Sequence, residues 1–472
     1  MRKKFYITTP IYYVNDLPHI GHACTTVSAD VIARFHRLIG AEVFFLTGTD
    51  EHGAKVAQAA AKKGLTPQQF CDQISPRFKK TWQKLNISND FFIRTTNPKH
   101  EKVVGRIFKR IYQQGDLYKK IYKGLYCIGC EKFLTESDLV NGHCPLHPPE
   151  QTVEQEEENW FFKLSKYVPK IIKLIESDKT NYVFPEGKRQ EVLTKLKSGI
   201  HDISFSRASV PWGIPIPWDK SQTIYVWVDA LINYYSATRF LPGKEKFWPA
   251  DIHLLGKEIL WFHTAIWQAI LMSVGLPLPK KTFIHSFYIM ANKKMSKSFG
   301  NLIAVDELVK NFGVDGSRYL VASSLPVEND TNISVARFKE KYNSDLANGL
   351  GNLVSRTFKL CQKNHYFSRG KHSSSFIAGV PEAIDSFNLP TALEIIWTND
   401  KQGIAAANKL FNQNEIWQLK GEKIKKELNN VIKIILNIAY NIKPFMPETS
   451  EKIEKIFRGQ ARLTVPLFPR IK

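Results

Sequence analysis

Four residues in the stretch YCIGCEKFLTESDLVNGHCPLH combine metal-binding side chains with metal-binding spacing. Cys127 and Cys130 are separated by two residues, and so are Cys144 and His147. Two short chelating pairs joined by a loop match a tetrahedral zinc knuckle. Four protein ligands leave no open coordination position, so the expected ion, one Zn2+, is structural. His143 competes for the fourth position, but the Cys-Pro-x-His spacing favours His147.

A second pair of histidines, His19 and His22, brackets Gly21 in NDLPHIGHA. The run lies where a strand over 3–9 gives way to a helix, whose apolar positions Val27, Val31, Ala33, Phe35 and Leu38 lead to a stop at Gly40. A helix start offers unpaired N–H groups and a positive dipole end, which suits an anion. Gly21 lets a nucleotide lie close to the backbone. From this run alone three readings stay open: phosphate handling, a metal site with Asp16 as its only acidic neighbour, or packed imidazoles. A third run, KKMSKSFGN (293–301), holds Lys294 and Lys297 three apart beside small hydroxyl residues. Alone it reads as a solvated Lys-rich loop. Together the two runs can face each other across one nucleotide site at the C-terminal edge of a parallel sheet.

The elements that must position these residues follow from periodicity. EVFFL (42–46) is a buried strand that completes a βαβ unit, and Thr66-Pro67-Gln68-Gln69 opens a helix with a capping box. DIHLLG (251–256), a helix over Lys257–Val274 and a strand over 281–290 resume the α/β pattern. Between them the sheet is interrupted by an insertion too long for an ordinary loop. Within it, the acidic run Glu154–Glu158 reads as a solvated loop or helix edge. After about residue 335 strands give way to amphipathic, Lys-rich helices. The expected fold is therefore α/β: a Rossmann-type parallel-sheet catalytic domain, with a zinc-containing insertion, followed by an all-α bundle. The expected bounds are 1–115, 116–224, 225–335 and 336–472.

Composition narrows the partner. Lys and Arg number 66 against 44 for Asp and Glu, a net charge of +22 over 472 residues. That surplus favours a polyanion, most simply nucleic acid or an anionic membrane. No apolar run is long enough for a membrane span, and no signal or transit segment precedes FYITTP, so a soluble cytoplasmic protein is expected. Three of the six cysteines lie in the zinc stretch, which points to metal rather than disulfides.

HIGH (19–22) with KMSKS (294–298) is the motif pair of class I aminoacyl-tRNA synthetases. TTPIYYVND, FFLTGTDEHG (44–53), WGIPIPW (212–218), YVWVDALINY (225–234) and LGKEILWFH (255–263) resemble segments of the methionyl-tRNA synthetase family, in its order and over essentially the whole length. The resemblance implies activation of L-methionine by ATP to methionyl-adenylate, then transfer to tRNA(Met). It implies that Ile11, Tyr13, Trp227, Ala230, Leu231, Tyr234, Ile259 and His263 surround the methionine side chain, with Asp50 on its ammonium. A thioether gains from aromatic contact, and the Tyr13 hydroxyl or His263 is expected to mark the sulfur. His19, Gly21, His22 and Glu258 are expected on ATP, Glu258 at the ribose, while Lys294 and Lys297 close on the pyrophosphate that leaves with Mg2+. Lys257 and Arg207 are weaker phosphate or carboxylate candidates. Relatives often place cysteine where His147 stands. Asn352, Arg356 and Trp417 are implied at the anticodon, with Ile416 standing where the family has proline. The chain stops at Lys472 without the dimerising domain of some relatives, so a monomer is expected. A small-molecule nucleotidyltransferase leaves the knuckle, the helical end and the charge unexplained. A tRNA-binding protein without activity does not need both motifs intact. Branched-chain synthetases need a larger insertion than 116–215 allows.

Overall fold

The computed structural model describes residues 3–14, 17–130, 132–134, 136–145, 147–177, 182–294, 302–366 and 374–472. Six strands, β1 (Lys4–Tyr13), β2 (Glu42–Asp50), β3 (Phe91–Arg94), β4 (Val183–Phe184), β5 (Ile252–Gly256) and β6 (Lys281–His285), form one parallel sheet. Their spatial order is β3-β2-β1-β5-β6-β4. Side chains alternate between faces as strand geometry requires. Phe5, Ile7, Phe45, Leu254 and Phe283 enter one core, whereas Tyr6, Phe44, Leu46, Leu255 and Ile284 enter the other. Helix α1 (Ile20–Leu38) covers the first face and α2 (Val226–Phe240) the second. The strand order reverses between β1 and β5, and open α/β sheets bind ligands at such a crevice.

Several strands depart from expectation, each for a local reason. β1 and β2 run past 9 and 46 because their pairing resumes after a register shift between Thr8 and Ile11, ending at Tyr13 opposite Asp50. The shift falls at Thr9-Pro10, where proline has no amide to give the ladder. The strand expected over 281–290 is broken: β6 stops at His285, and Tyr288–Met290 pairs instead with Lys293–Lys294 and Thr331–Asn332. The break is held by the Ser286 amide on Pro326 O (2.8 Å) and the Phe287 amide on Asp330 Oδ1 (2.9 Å).

Within 116–224, strands Leu117–Cys127 and Thr152–Phe162 form a long antiparallel pair. The acidic run is thus part of a strand, not a loop or helix edge. Glu156 faces Lys123 across the pair, and Glu157 is buried, accepting from Asn159 Nδ2 (3.1 Å) and the Ser209 amide (3.2 Å). The same stretch also supplies β4 to the main sheet.

Helix α3 (Val305–Ser323) leads into the helices of the C-terminal part, among them Asn352–Lys363, Ile404–Gln413 and Gly421–Ile442. Arg318 ties the two parts together. Fully buried, it pairs with the equally buried Asp30 of α1 at 2.7 Å and donates to the carbonyls of Leu85, Pro444 and Phe445. Burial pushes the Asp30 carboxyl up, but Arg318, Arg34 and Ser88 outweigh it and hold it below the usual range. No helix among the described residues is long and apolar enough to cross a membrane.

Candidate active site and metal centre

A cavity of about 400 Å³ lies at the C-terminal ends of β1, β2, β5 and β6. Its wall holds Ile11, Tyr13, Asp50, Trp227, Ala230, Leu231, Tyr234, Ile259 and His263, together with His19, Gly21, His22 and Glu258. Ile11 and Tyr13 end β1, Asp50 ends β2, and α2 carries Trp227 through Tyr234. Ile11 and Ile259, distant in the sequence, line one cavity because the sheet order places β5 beside β1.

The histidines are fixed by the helix they begin. His19 is the N-cap of α1; its Nδ1 accepts from the Gly21 amide at 3.1 Å, and His22 Nδ1 accepts from the His19 amide at 3.3 Å. Each acceptor Nδ1 is unprotonated, so in the neutral ring the proton sits on Nε2, a donor suited to phosphate oxygen. The two rings stack at 3.8 Å. Burial, then His19, keeps His22 well below the usual imidazole range, so it is neutral. Gly21 is required here: a Cβ would stand 2.9 Å from His19 Cε1. Gly256 plays the same part for Glu258, whose carboxylate would lie 2.5 Å from an added Cβ.

The end of the cavity around Tyr234 and His263 is lined by neutral rings. The helix expected from Lys257 instead begins as a 3₁₀ turn (Lys257–Ile259) and widens into a π-turn (Phe262–Ile266) before α-helix resumes at Trp267. His263 sits in that turn. Its Nδ1 faces the Ile259 carbonyl (3.0 Å), an acceptor, so Nδ1 carries the proton and Nε2 accepts from the Tyr234 hydroxyl (2.7 Å). Burial lowers its pKa to about 4. The Tyr13 hydroxyl donates to His52 O at 2.9 Å. The donors expected to mark a sulfur are therefore directed at protein acceptors, and the wall presents ring faces and aliphatic carbons. Trp227, stacked on Phe262 at 3.9 Å, supplies one such face.

The lysine loop is represented by its flanks. Residues 295–301, with Lys297, lie outside the described residues, as does the Lys294 side chain. Lys293–Lys294 pairs with Tyr288–Met290, whose first residue lines the cavity. Beyond the loop, Ala304 forms a bridge to His19, and the Ile20 amide donates to Ile303 O at 3.0 Å. Both ends of the run are thus anchored beside the cavity. Neither Lys257 nor Arg207 lines it. Lys257 pairs with Asp330 at 2.6 Å; Arg207 is buried over the Tyr225 ring at 4.1 Å.

Cys127, Cys130, Cys144 and His147 come together with all four ligand atoms within 4.8 Å of one another. Cys130 Sγ lies 3.6 Å from Cys144 Sγ, and His147 Nδ1 lies 3.4–3.7 Å from the three sulfurs. A tetrahedral zinc ion, with Zn–S of about 2.3 Å and Zn–N of about 2.0 Å, sets ligand atoms roughly 3.5–3.8 Å apart. The donor set fits that ion. Gly129 makes room for the fourth ligand, since a Cβ there would stand 2.3 Å from the His147 ring. His143 is exposed and bonded through its backbone to Val140, outside the cluster.

A separate corner of the helical part gathers Arg356 and Trp417. The Arg356 guanidinium lies 4.0 Å above the Phe411 ring and donates to Asn408 at 2.6 Å; Trp417 stacks on the same ring. Ile416 is fully buried, which leaves Trp417 48% exposed beside it. Asn352 is exposed one turn before Arg356.

Sequence reasoning missed Lys55, His285, Ser286 and Phe287 in the cavity wall, and Phe411 as the platform under Arg356. Lys55 lies two residues beyond the DEHG run and was within reach of that signal. The others reach their sites only through tertiary contacts.

A parallel sheet with a histidine-capped helix at its switch point, a lysine run anchored beside it and an inserted thiol cluster defines a class I aminoacyl-tRNA synthetase. The family model "tRNA synthetases class I (M)" matches residues 5–154 and 138–358. The methionine–tRNA ligase of Caldanaerobacter subterraneus subsp. tengcongensis is 43% identical over 96% of this chain and 74% of its own. That of Thermotoga maritima is 44% identical over 95% and 74%. The solved Mycobacterium tuberculosis methionyl-tRNA synthetase in complex with methionyl-adenylate superposes with a TM-score of 0.88 at 36% identity, covering 96% of this chain and 93% of that one. This chain belongs to the methionine–tRNA ligase family.

Proposed function

We infer that the chain activates L-methionine with ATP to methionyl-adenylate and transfers the methionyl group to tRNA(Met). The observation that carries this reading is the single cavity in which a neutral, ring-lined end adjoins the histidine-capped start of α1.

Asp50 pairs with the substrate ammonium, and Trp227, Tyr234 and His263 pack against the thioether. The methionine carboxylate then attacks the α-phosphorus in line, and pyrophosphate leaves. Such a step needs positioning and charge stabilisation rather than a covalent protein nucleophile. His19 and His22 donate Nε2–H bonds to phosphate oxygens, Glu258 accepts from the ribose hydroxyls, and Lys294 and Lys297 hold the leaving group. Mg2+ bound to ATP neutralises phosphate charge. Cys127, Cys130, Cys144 and His147 hold one structural Zn2+ that braces the insertion. Asn352, Arg356 and Trp417 meet the anticodon, where Arg356 contributes charge and Trp417 a stacking face for an unpaired base.

Exchange of pyrophosphate into ATP tests the reading. It is expected with methionine and without tRNA; absence of exchange, or equal exchange with leucine or cysteine, overturns it.

A further inference from the structure

Behind the amino-acid end of the cavity lies a buried charge cluster that none of these roles uses. Asp229, 1% exposed at its side chain, has a histidine on each carboxylate oxygen: His52 Nδ1 on Oδ2 and His100 Nε2 on Oδ1, both at 2.7 Å. The opposite nitrogen of His100 bonds Ser236 Oγ at 2.6 Å. His52 Nε2 faces Glu101 Oε1 at 3.9 Å, and its ring packs on Trp212.

The connections run to two different elements of the cavity wall. His52 lies two residues beyond Asp50, and its carbonyl receives the Tyr13 hydroxyl. Asp229 directly precedes Ala230 and Leu231 and follows Trp227 by two, all on α2. The His52–Asp229 bond thus joins the wall holding Asp50 and Tyr13 to the wall holding Trp227, Ala230 and Leu231.

We propose that His52 is a positioning residue for the amino-acid substrate: through its bond to Asp229 it clamps the 50–53 turn to the start of α2 and sets the width of the amino-acid end. The proposal rests on the methionine reading of that end. Burial works against the charge on His52, but Asp229, then Glu101 and Glu51, outweigh it and raise its pKa above the ordinary imidazole value. Asp229 is correspondingly held below the carboxylate range, against its burial, by His52 and His100. Charged and titratable groups face His52 from every side. Asp229 comes from α2, Glu101 and His100 from the helix Pro98–Gln113, and Glu51 from the turn after β2, where Arg94 pairs with it at 2.8 Å. Arg207, Tyr126 and Tyr225 border the small space on its remaining side.

The sign follows from the raised pKa. The clamp is complete below the ordinary value of about 6.5 and is lost as pH rises through the folded value. The test is the pH dependence of KM for methionine in pyrophosphate exchange. In the wild type KM is expected to rise with pH across the neutral to alkaline range while kcat changes less. His52→Asn keeps a neutral donor near Nδ1. It is expected to raise KM about tenfold at pH 6.5, the loss of one charged hydrogen bond, and to flatten the profile. A wild-type profile in His52→Asn overturns the proposal. Should that variant fold poorly, Glu101→Gln at the cluster's exposed edge is expected to move the midpoint to lower pH with kcat retained, and an unmoved midpoint overturns it. A wild type without methionine-dependent exchange contradicts the functional reading instead.

Discussion

His19 and His22 are three residues apart, and so are Cys144 and His147. The two pairs nevertheless do different work. At the start of α1 the Nδ1 atoms of both histidines accept backbone amides and the rings stack, which places the proton of each neutral ring on Nε2. In the insertion, His147 lies in a turn and has no helix to cap, so its Nδ1 meets three sulfurs. In the proposed reading, identical spacing serves an anion-directed donor pair in one place and a metal-directed acceptor set in the other. The difference comes from which backbone groups compete for the ring nitrogen.

The largest effect that tests this contrast is at the knuckle. Cys144→Ser is expected to abolish stoichiometric zinc, since structural sites of this kind carry on the order of 10 kcal/mol of binding energy. Elemental analysis of the purified variant reads it. A variant that keeps one zinc per chain means the cluster is not the metal site. Next in size is breaking the domain tie: Asp30→Asn leaves the Arg318 charge buried without its carboxylate and is expected to cost about 3–5 kcal/mol in denaturant unfolding. Because the Asp30 carboxyl is held below the usual range, its contribution is present above about pH 3.9 and lost as pH falls further. Arg356→Gln is smaller and falls on the third region. It is expected to weaken tRNA charging by about 1–3 kcal/mol in kcat/KM while pyrophosphate exchange stays at the wild-type level. Equal loss in both assays places Arg356 in folding rather than in tRNA contact. The smallest expected effect is Gly21→Ala, whose Cβ displaces the His19 ring by a few tenths of an ångström. An exchange rate reduced about tenfold, with zinc unchanged, is the expected result.

Much of this arrangement was legible in the chain. The knuckle needed only ligand types and spacing, because all four ligands lie within one local segment. The βαβ unit followed from apolar runs such as EVFFL, and α1 from its helical periodicity. What escaped was set by contacts far apart in sequence. Pro10 reads as a strand stop, yet β1 and β2 resume pairing beyond it. The break at Ser286 depends on carbonyl and carboxylate partners at 326 and 330, and the π-turn around His263 has no local sequence signature. Glu157 looked solvated because charge runs usually are; its carboxylate is instead buried against Asn159 on the same strand and the Ser209 amide. The His52–Asp229 bond joins residues 177 apart, beyond any local pattern.

One preparation of His19→Ala tests the central claim most directly, with methionine-dependent pyrophosphate exchange and zinc content measured together. The expected result is exchange reduced by about 10²–10³-fold, as for removal of one donor to a developing charge, with one zinc per chain retained. Loss of zinc, or exchange at the wild-type rate, would mean that the two histidine sites have been assigned the wrong way round.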